Sequence, residues 1–225
     1  MGDRVEFVSN GGKTAGYLAR PSAPGPGVVV IQEWWGLVPH IERVADRLAA
    51  AGFAALAPDL FHGKQARSPD EAGKLMMSLA IDEAAKDLAG AITYLKAQSD
   101  VKGEKVGTIG FCMGGALSLF AACRNSDVGA CVVFYGGHPN VKPDLQSLQA
   151  PVLGIYGGKD TFVTPQAVAE LDRQLTALGK RHEFHTYPQQ GHAFFNDTRP
   201  EVYDAAAAND AWTKTVAFLK TELRD

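Results

Sequence analysis

Val106-Gly107-Thr108-Ile109-Gly110-Phe111-Cys112-Met113-Gly114-Gly115 is the stretch that decides the fold. It is apolar and strand-like up to Phe111, turns glycine-rich, and leads into an alanine-rich segment ending near Arg124. A buried strand therefore enters a helix through G-x-C-x-G, the spacing of a nucleophile elbow with cysteine in place of serine. Glycines suit positions 110 and 114 because side chains there would collide as strand and helix pack around the turn. Cys112 sits where a helix begins, so free N–H groups and the positive end of the dipole favour its thiolate. The N–H of Met113 is then aimed at a developing oxyanion. A lone cysteine is more often a small core hydrophobe, and Cys123 and Cys131, in a helix and a strand, read that way. An odd count of three, without paired spacing, argues against a disulfide framework or a CxxC metal site.

Outward from this turn, short β-rich runs alternate with amphipathic stretches. Val5–Ser9 and Thr14–Ala19 flank Asn10-Gly11-Gly12 as a hairpin. Gly27–Gln32 is a continuous apolar run suited to a strand buried on both faces. His40–Ala51 has helical spacing and is closed by Gly52. Ala54–Ala57 is a strand, and a polar loop leads to Ser68-Pro69-Asp70-Glu71, which reads as an N-cap and first helical turn. A helical pattern, whole or broken, runs on to Ala97. Lys105–Phe111, Ala130–Tyr135, Val152–Tyr156 and Glu183–Tyr187 are further strands; Gly114–Arg124, Pro165–Leu178 and about Tyr203 to Leu223 are helices. Such alternation predicts an α/β fold, a mostly parallel sheet with helices on both faces. The length of 225 residues alone would also allow two small domains. With neither a repeat nor a linker in the chain, residues 1–225 read as one domain.

A thiol needs a base and a group to orient that base. Asp160 follows strand Val152–Tyr156, and His192 follows strand Glu183–Tyr187, both at the strand ends where open α/β sheets bind ligands. Singly, Asp160 has a helix cap as its alternative and His192 an ordinary surface loop. Together they give the order nucleophile, acid, histidine that the elbow-bearing fold requires. Gly157-Gly158-Lys159 lacks the first glycine and the hydroxyl residue of a P-loop. Glu33-Trp34-Trp35-Gly36 follows strand Gly27–Gln32, making the N–H of Trp34 the candidate second oxyanion donor. Glu33, between an apolar strand and two tryptophans, is an awkward unpaired carboxylate. Either it contacts the thiol and regulates its ionisation, or it pairs with a base such as Arg43.

Five segments now resemble the dienelactone hydrolase (carboxymethylenebutenolidase) family over nearly the whole chain. They are Gln32-Glu33-Trp34-Trp35-Gly36, Ala57-Pro58-Asp59-Leu60, Gly110-Phe111-Cys112-Met113-Gly114-Gly115, Gly158-Lys159-Asp160 and Gly191-His192-Ala193-Phe194. The resemblance implies a monomeric α/β-hydrolase that opens a cyclic enol-lactone through a thioester, without a cofactor. It also implies that Glu33 contacts the resting thiol and takes its proton when substrate arrives, leaving His192 and Asp160 to the later steps. A thiolate formed only on demand resists oxidation. The family clamps the substrate carboxylate with arginines, one of them shortly after the histidine. Here Phe194-Phe195-Asn196-Asp197 stands in that stretch, no arginine occurs until Arg199, and Arg67 is the candidate for the other clamp. A more apolar ester is therefore expected, touched by Trp34, Trp35, Tyr135, Phe194 and Phe195, with plain packing as the alternative for each aromatic.

The competing readings are a promiscuous carboxylesterase or thioesterase for acyclic substrates, and a non-catalytic ligand-binding protein on the same scaffold. A net charge of −3 without a basic cluster argues against nucleic acid and anionic membranes as partners. Met1-Gly2-Asp3-Arg4-Val5-Glu6 has no signal-like pattern, and no apolar run is long enough to span a bilayer, so a cytoplasmic enzyme is expected. Asn196-Asp197-Thr198 matches a glycosylation pattern by chance in that setting.

Overall fold

In the computed structural model, which describes residues 2–224, Asn10 and Gly11 both adopt positive φ. They form the two-residue turn that joins β1 (Asp3–Ser9) to β2 (Gly12–Ala19) in antiparallel register. The remaining strands are β3 (Gly25–Ile31), β4 (Ala54–Pro58), β5 (Val101–Phe111), β6 (Val128–Phe134), β7 (Val152–Gly157) and β8 (His182–Tyr187). Their order is β1-β2-β4-β3-β5-β6-β7-β8, and every pair from β4 to β8 is parallel. This single α/β domain is the expected mostly parallel sheet.

Among the described residues five α-helices link the strands, α1 (Pro39–Ala50), α2 (Pro69–Ser78), α3 (Ile81–Lys96), α4 (Met113–Arg124) and α5 (Pro165–Ala177), and α6 (Ala205–Glu222) follows β8. Alternate residues of β3 explain why both sheet faces must be covered. Val29 and Ile31 pack with Leu88, Leu117 and Leu175 of α3, α4 and α5. Val28 and Val30 pack with Ile41 and Val44 of α1 and Leu219 of α6. The apolar run was thus read correctly as a strand buried on both sides. The helical pattern after Ser68 is broken at Leu79 and Ala80, whose extended backbone separates α2 from α3. Ser68 caps α2 by accepting the N–H of Glu71. No helix among the described residues is long and apolar enough to cross a membrane.

Candidate active site

Cys112 joins β5 to α4 with φ 53° and ψ −119°, a conformation that L-residues rarely adopt. The neighbouring chain over-determines it. The Cys112 N–H donates to the Phe134 carbonyl at 3.0 Å, and the Cys112 carbonyl accepts from Gly115 and Gly137. Cα positions 110 and 114 are so close to backbone that only glycine fits. The strain presents the sulfur at the C-terminal edge of the sheet, as the spacing predicted.

Asp160 and His192 are brought together from two loops that are stitched to each other. Gly158 N–H donates to the Tyr187 carbonyl and Lys159 N–H to the Gln190 carbonyl, both at 2.8 Å. Asp160 is buried. Its Oδ1 accepts the N–H groups of Phe162 and Val163, and its Oδ2 lies 2.7 Å from His192 Nδ1. Fixing the carboxylate in this way selects the His192 tautomer with the proton on Nδ1 and leaves Nε2 as acceptor. Among the described residues Nε2 has no hydrogen-bond partner. Tyr135 and Phe162 hold the imidazole between them, with ring centroids 5.0 and 5.2 Å away. The cap of α5 is Thr164, so the helix-cap alternative for Asp160 fails.

Glu33, just beyond β3, is 1% exposed. Arg43 does not pair with it, because Arg43 donates to Asp197 at 2.9 Å. Asn196 Nδ2 donates to Glu33 Oε2 at 2.7 Å, while Oε1 has no partner among the described residues. Burial first, and then the negative charge of Glu33, push the Cys112 thiol far above its usual value; the N–H of Met113 opposes both. The resting sulfur is therefore a thiol at neutral pH, and the helix terminus alone does not make it a thiolate.

A cavity of about 150 Å³ is lined by Glu33, Trp34, Trp35, Met76, Cys112, Phe162, His192, Ala193 and Arg199. Sites for drug-sized ligands start at roughly 300 Å³, so this one is cut for a small substrate. Trp34 and Trp35 flank it as expected, edge to face at 5.4 Å. Four other expectations need correction. Tyr135, Phe194 and Phe195 do not line the cavity; they are buried beneath it at 0%, 0% and 1% exposure. Ala193 causes this for the two phenylalanines, since its φ of 62° turns the chain inward after His192. Phe195 then stacks on Phe111 at 5.3 Å. Arg67 borders a separate surface groove with Lys64 and Lys74, and its N–H is held by Glu71. The cation that reaches the cavity is Arg199, which approaches the Trp35 ring to 5.9 Å. Its distance in sequence from His192 hid it, although an arginine after the histidine was the signal to follow. Met76 and Phe162 carried no recognisable signal.

The dienelactone hydrolase family model matches residues 14–223. Protein usf of Aquifex pyrophilus is 40% identical, with 99% of this chain and all of that protein covered. An Aquifex aeolicus protein named "Putative carboxymethylenebutenolidase" is 36% identical over the full length of both. Among solved structures, a dienelactone hydrolase-like promiscuous phosphotriesterase, P91 from metagenomic libraries, superposes with a TM-score of 0.89 at 28% identity, covering 100% of this chain and 99% of that one. A match running from within β2 to the end of α6, and including every site-bearing loop, leaves one assignment: the chain belongs to the dienelactone hydrolase family, hydrolases of ester and lactone bonds.

Proposed function

We infer that the protein opens a small lactone, or cleaves a small carboxylic ester, through a thioester on Cys112. The observation that carries this reading is the convergence on one cavity of the strained Cys112, the buried Glu33 and His192 with Nε2 unpartnered. Glu33 takes the thiol proton, and the sulfur attacks the substrate carbonyl. The N–H groups of Met113 and Trp34 stabilise the oxyanion. Collapse breaks the acyl–oxygen bond, and the departing oxygen recovers a proton from the glutamic acid. A water then gives its proton to His192 Nε2 and attacks the thioester; Asp160 stabilises the imidazolium that forms. The imidazolium proton returns to the sulfur, releasing a carboxylic acid. All groups in this sequence belong to one chain, and no cofactor takes part.

Arg199 extends the reading to the substrate. An anionic substituent would meet its guanidinium at the rim, while Trp34, Trp35, Met76 and Phe162 enclose the apolar remainder. The apolar walls also favour a second reading, turnover of short neutral acyclic esters. Relative rates on α-angelica lactone and p-nitrophenyl acetate separate the two, and a much faster acyclic ester would remove the lactone assignment.

The mechanism is tested by stalling the second half-reaction. His192→Ala incubated with α-angelica lactone is expected to gain the mass of the intact lactone on the peptide containing Cys112, removable by hydroxylamine. An unmodified Cys112, together with undiminished turnover by Cys112→Ala, would falsify it.

A further inference from the structure

Among the described residues, Glu33 is gripped by a single neutral side-chain donor. Asn196, itself 1% exposed, reaches it from four positions beyond His192. The orientation of the Asn196 amide is dictated by its other end. Oδ1 accepts the N–H of Thr198 at 3.0 Å and the hydroxyl of Thr198 at 2.6 Å, so the NH₂ must face the carboxylate. The loop is itself fixed. Asn196 N–H donates to the Ala193 carbonyl, Arg199 N–H to the Asn196 carbonyl, and Asp197 is taken by His40 and Arg43.

An amide NH₂ donates and cannot accept. Against Oε2 it supports the carboxylate's negative charge with a hydrogen bond and occupies that oxygen, so an incoming proton is left with Oε1. Being neutral, it leaves the negative charge uncancelled, and that charge still reaches Cys112 and Tyr135. A cationic donor in the same place would have weakened the base. Resting on the reading of Glu33 as the base of the first step, we propose that Asn196 is a positioning residue: its amide, oriented by Thr198, donates to the carboxylate and fixes which Glu33 oxygen receives the thiol proton.

The titratable groups around Glu33 are the Cys112 thiol from the β5–α4 turn, the Tyr135 phenol after β6, and His192 and Arg199 across the cavity. Substitution at 196 or 198 leaves all four in place; Asn196→Asp adds a carboxylate of its own, so Thr198→Val, which adds none, is the variant that ties a movement of the acid limb of kcat/KM to the Asn196–Glu33 contact. Asn196→Asp is close to isosteric, keeps an oxygen for Thr198 and replaces the donor with an acceptor. Thr198→Val frees Oδ1 and lets the amide turn over.

With α-angelica lactone as the probe, Asn196→Asp is expected to move the acid limb up by one pH unit or more. That means about a tenfold loss below the limb, recovered at higher pH, with KM little changed. Thr198→Val is expected to move it in the same direction by less, and it decides the matter if the aspartate variant does not fold. In a Glu33→Gln background neither substitution should have further effect on the profile. A merely structural role would lower Tm and depress the rate evenly at every pH with the limb unmoved, and that result overturns the proposal. If Glu33→Gln keeps the wild-type rate, the base assignment falls and this inference with it. If Glu33→Gln loses the rate but the limb ignores Asn196 and Thr198, only this inference falls.

Discussion

Gly110 and Gly114 face each other across the turn that carries Cys112, and a Cβ on Gly110 would run into the carbonyl of Gly114. A Cβ on Gly114 would meet the carbonyls of Ile31 and Gln32 in turn. Backbone cannot move aside as a flexible side chain can. Gly110→Ala is therefore expected to cost about 3 kcal/mol or more, at the upper end for overpacked sites. Gly73 in α2 has open space around its Cα, so Gly73→Ala should stabilise by roughly 0.5 kcal/mol. Urea unfolding of the two variants beside wild type checks the opposite signs.

The Glu33–Cys112 pair predicts that chemistry and alkylation respond in opposite directions. Removing the carboxylate charge lowers the thiol pKa, because that charge is the second cause of its elevation after burial. Glu33→Gln should react faster with iodoacetamide at pH 7, by up to about tenfold for a one-unit shift. The same variant should turn over substrate far more slowly, having lost its proton acceptor. Parallel changes in the two rates would remove Glu33 from the first step.

Cys131 makes a prediction about alkaline stability. Burial pushes its thiol from 9.0 up to about 11, despite the hydroxyls of Ser118 and Thr108. Between those pH values the unfolded chain has released a proton that the folded protein keeps. Stability present below pH 9 is therefore lost as pH rises toward 11, on the order of 2–3 kcal/mol from this group. Chemical denaturation of Cys131→Ala at pH 8 to 11 should show a shallower decline than wild type, from a lower start. Equal slopes would mean that the thiol does not titrate in that window.

Arg199 predicts selectivity by charge. Arg199→Met should raise KM for a carboxylate-bearing ester by roughly 10- to 100-fold, the scale of a charge-assisted hydrogen bond. A neutral ester of the same size should change by less than about threefold, since the loss is of uniform binding. A matched pair of substrates run on both proteins gives the answer. Equal losses would place the role of Arg199 in holding its loop, where it also donates to Glu201 at 2.8 Å.

Asp160→Asn should leave the fold nearly intact and cut kcat by 10²-fold or more, because the wrong His192 tautomer becomes available. The acylated enzyme should then accumulate, giving a burst in pre-steady-state measurements. Steady turnover without a burst would assign the slow step to acylation instead.

The elements and the Cys112 turn were legible because their signals are local: apolar runs, caps and two glycines at fixed spacing. Asp160 and His192 were legible through their place after strands, a position that the parallel sheet converts into proximity. The cavity walls were not. Met76 arrives from α2, and no sequence pattern encodes how a helix leans over a strand end. Phe194 and Phe195 were misread because adjacency to His192 suggested exposure, whereas the left-handed backbone of Ala193 sends both rings into the core. Asn196 looked like a mere gap where an arginine was expected, and only the fold reveals that its amide meets a carboxylate 163 positions away.

Four separate parallel strands each deliver one member of the site: β3 gives Glu33, β5 gives Cys112, β7 gives Asp160 and β8 gives His192. Slipping one of these strands by a single position would displace its group by about 3.3 Å, past hydrogen-bond reach. Turnover is for that reason a census of these four strands. A refolding experiment followed by activity should lag one followed by helical signal, because the last strand to find its register switches the enzyme on.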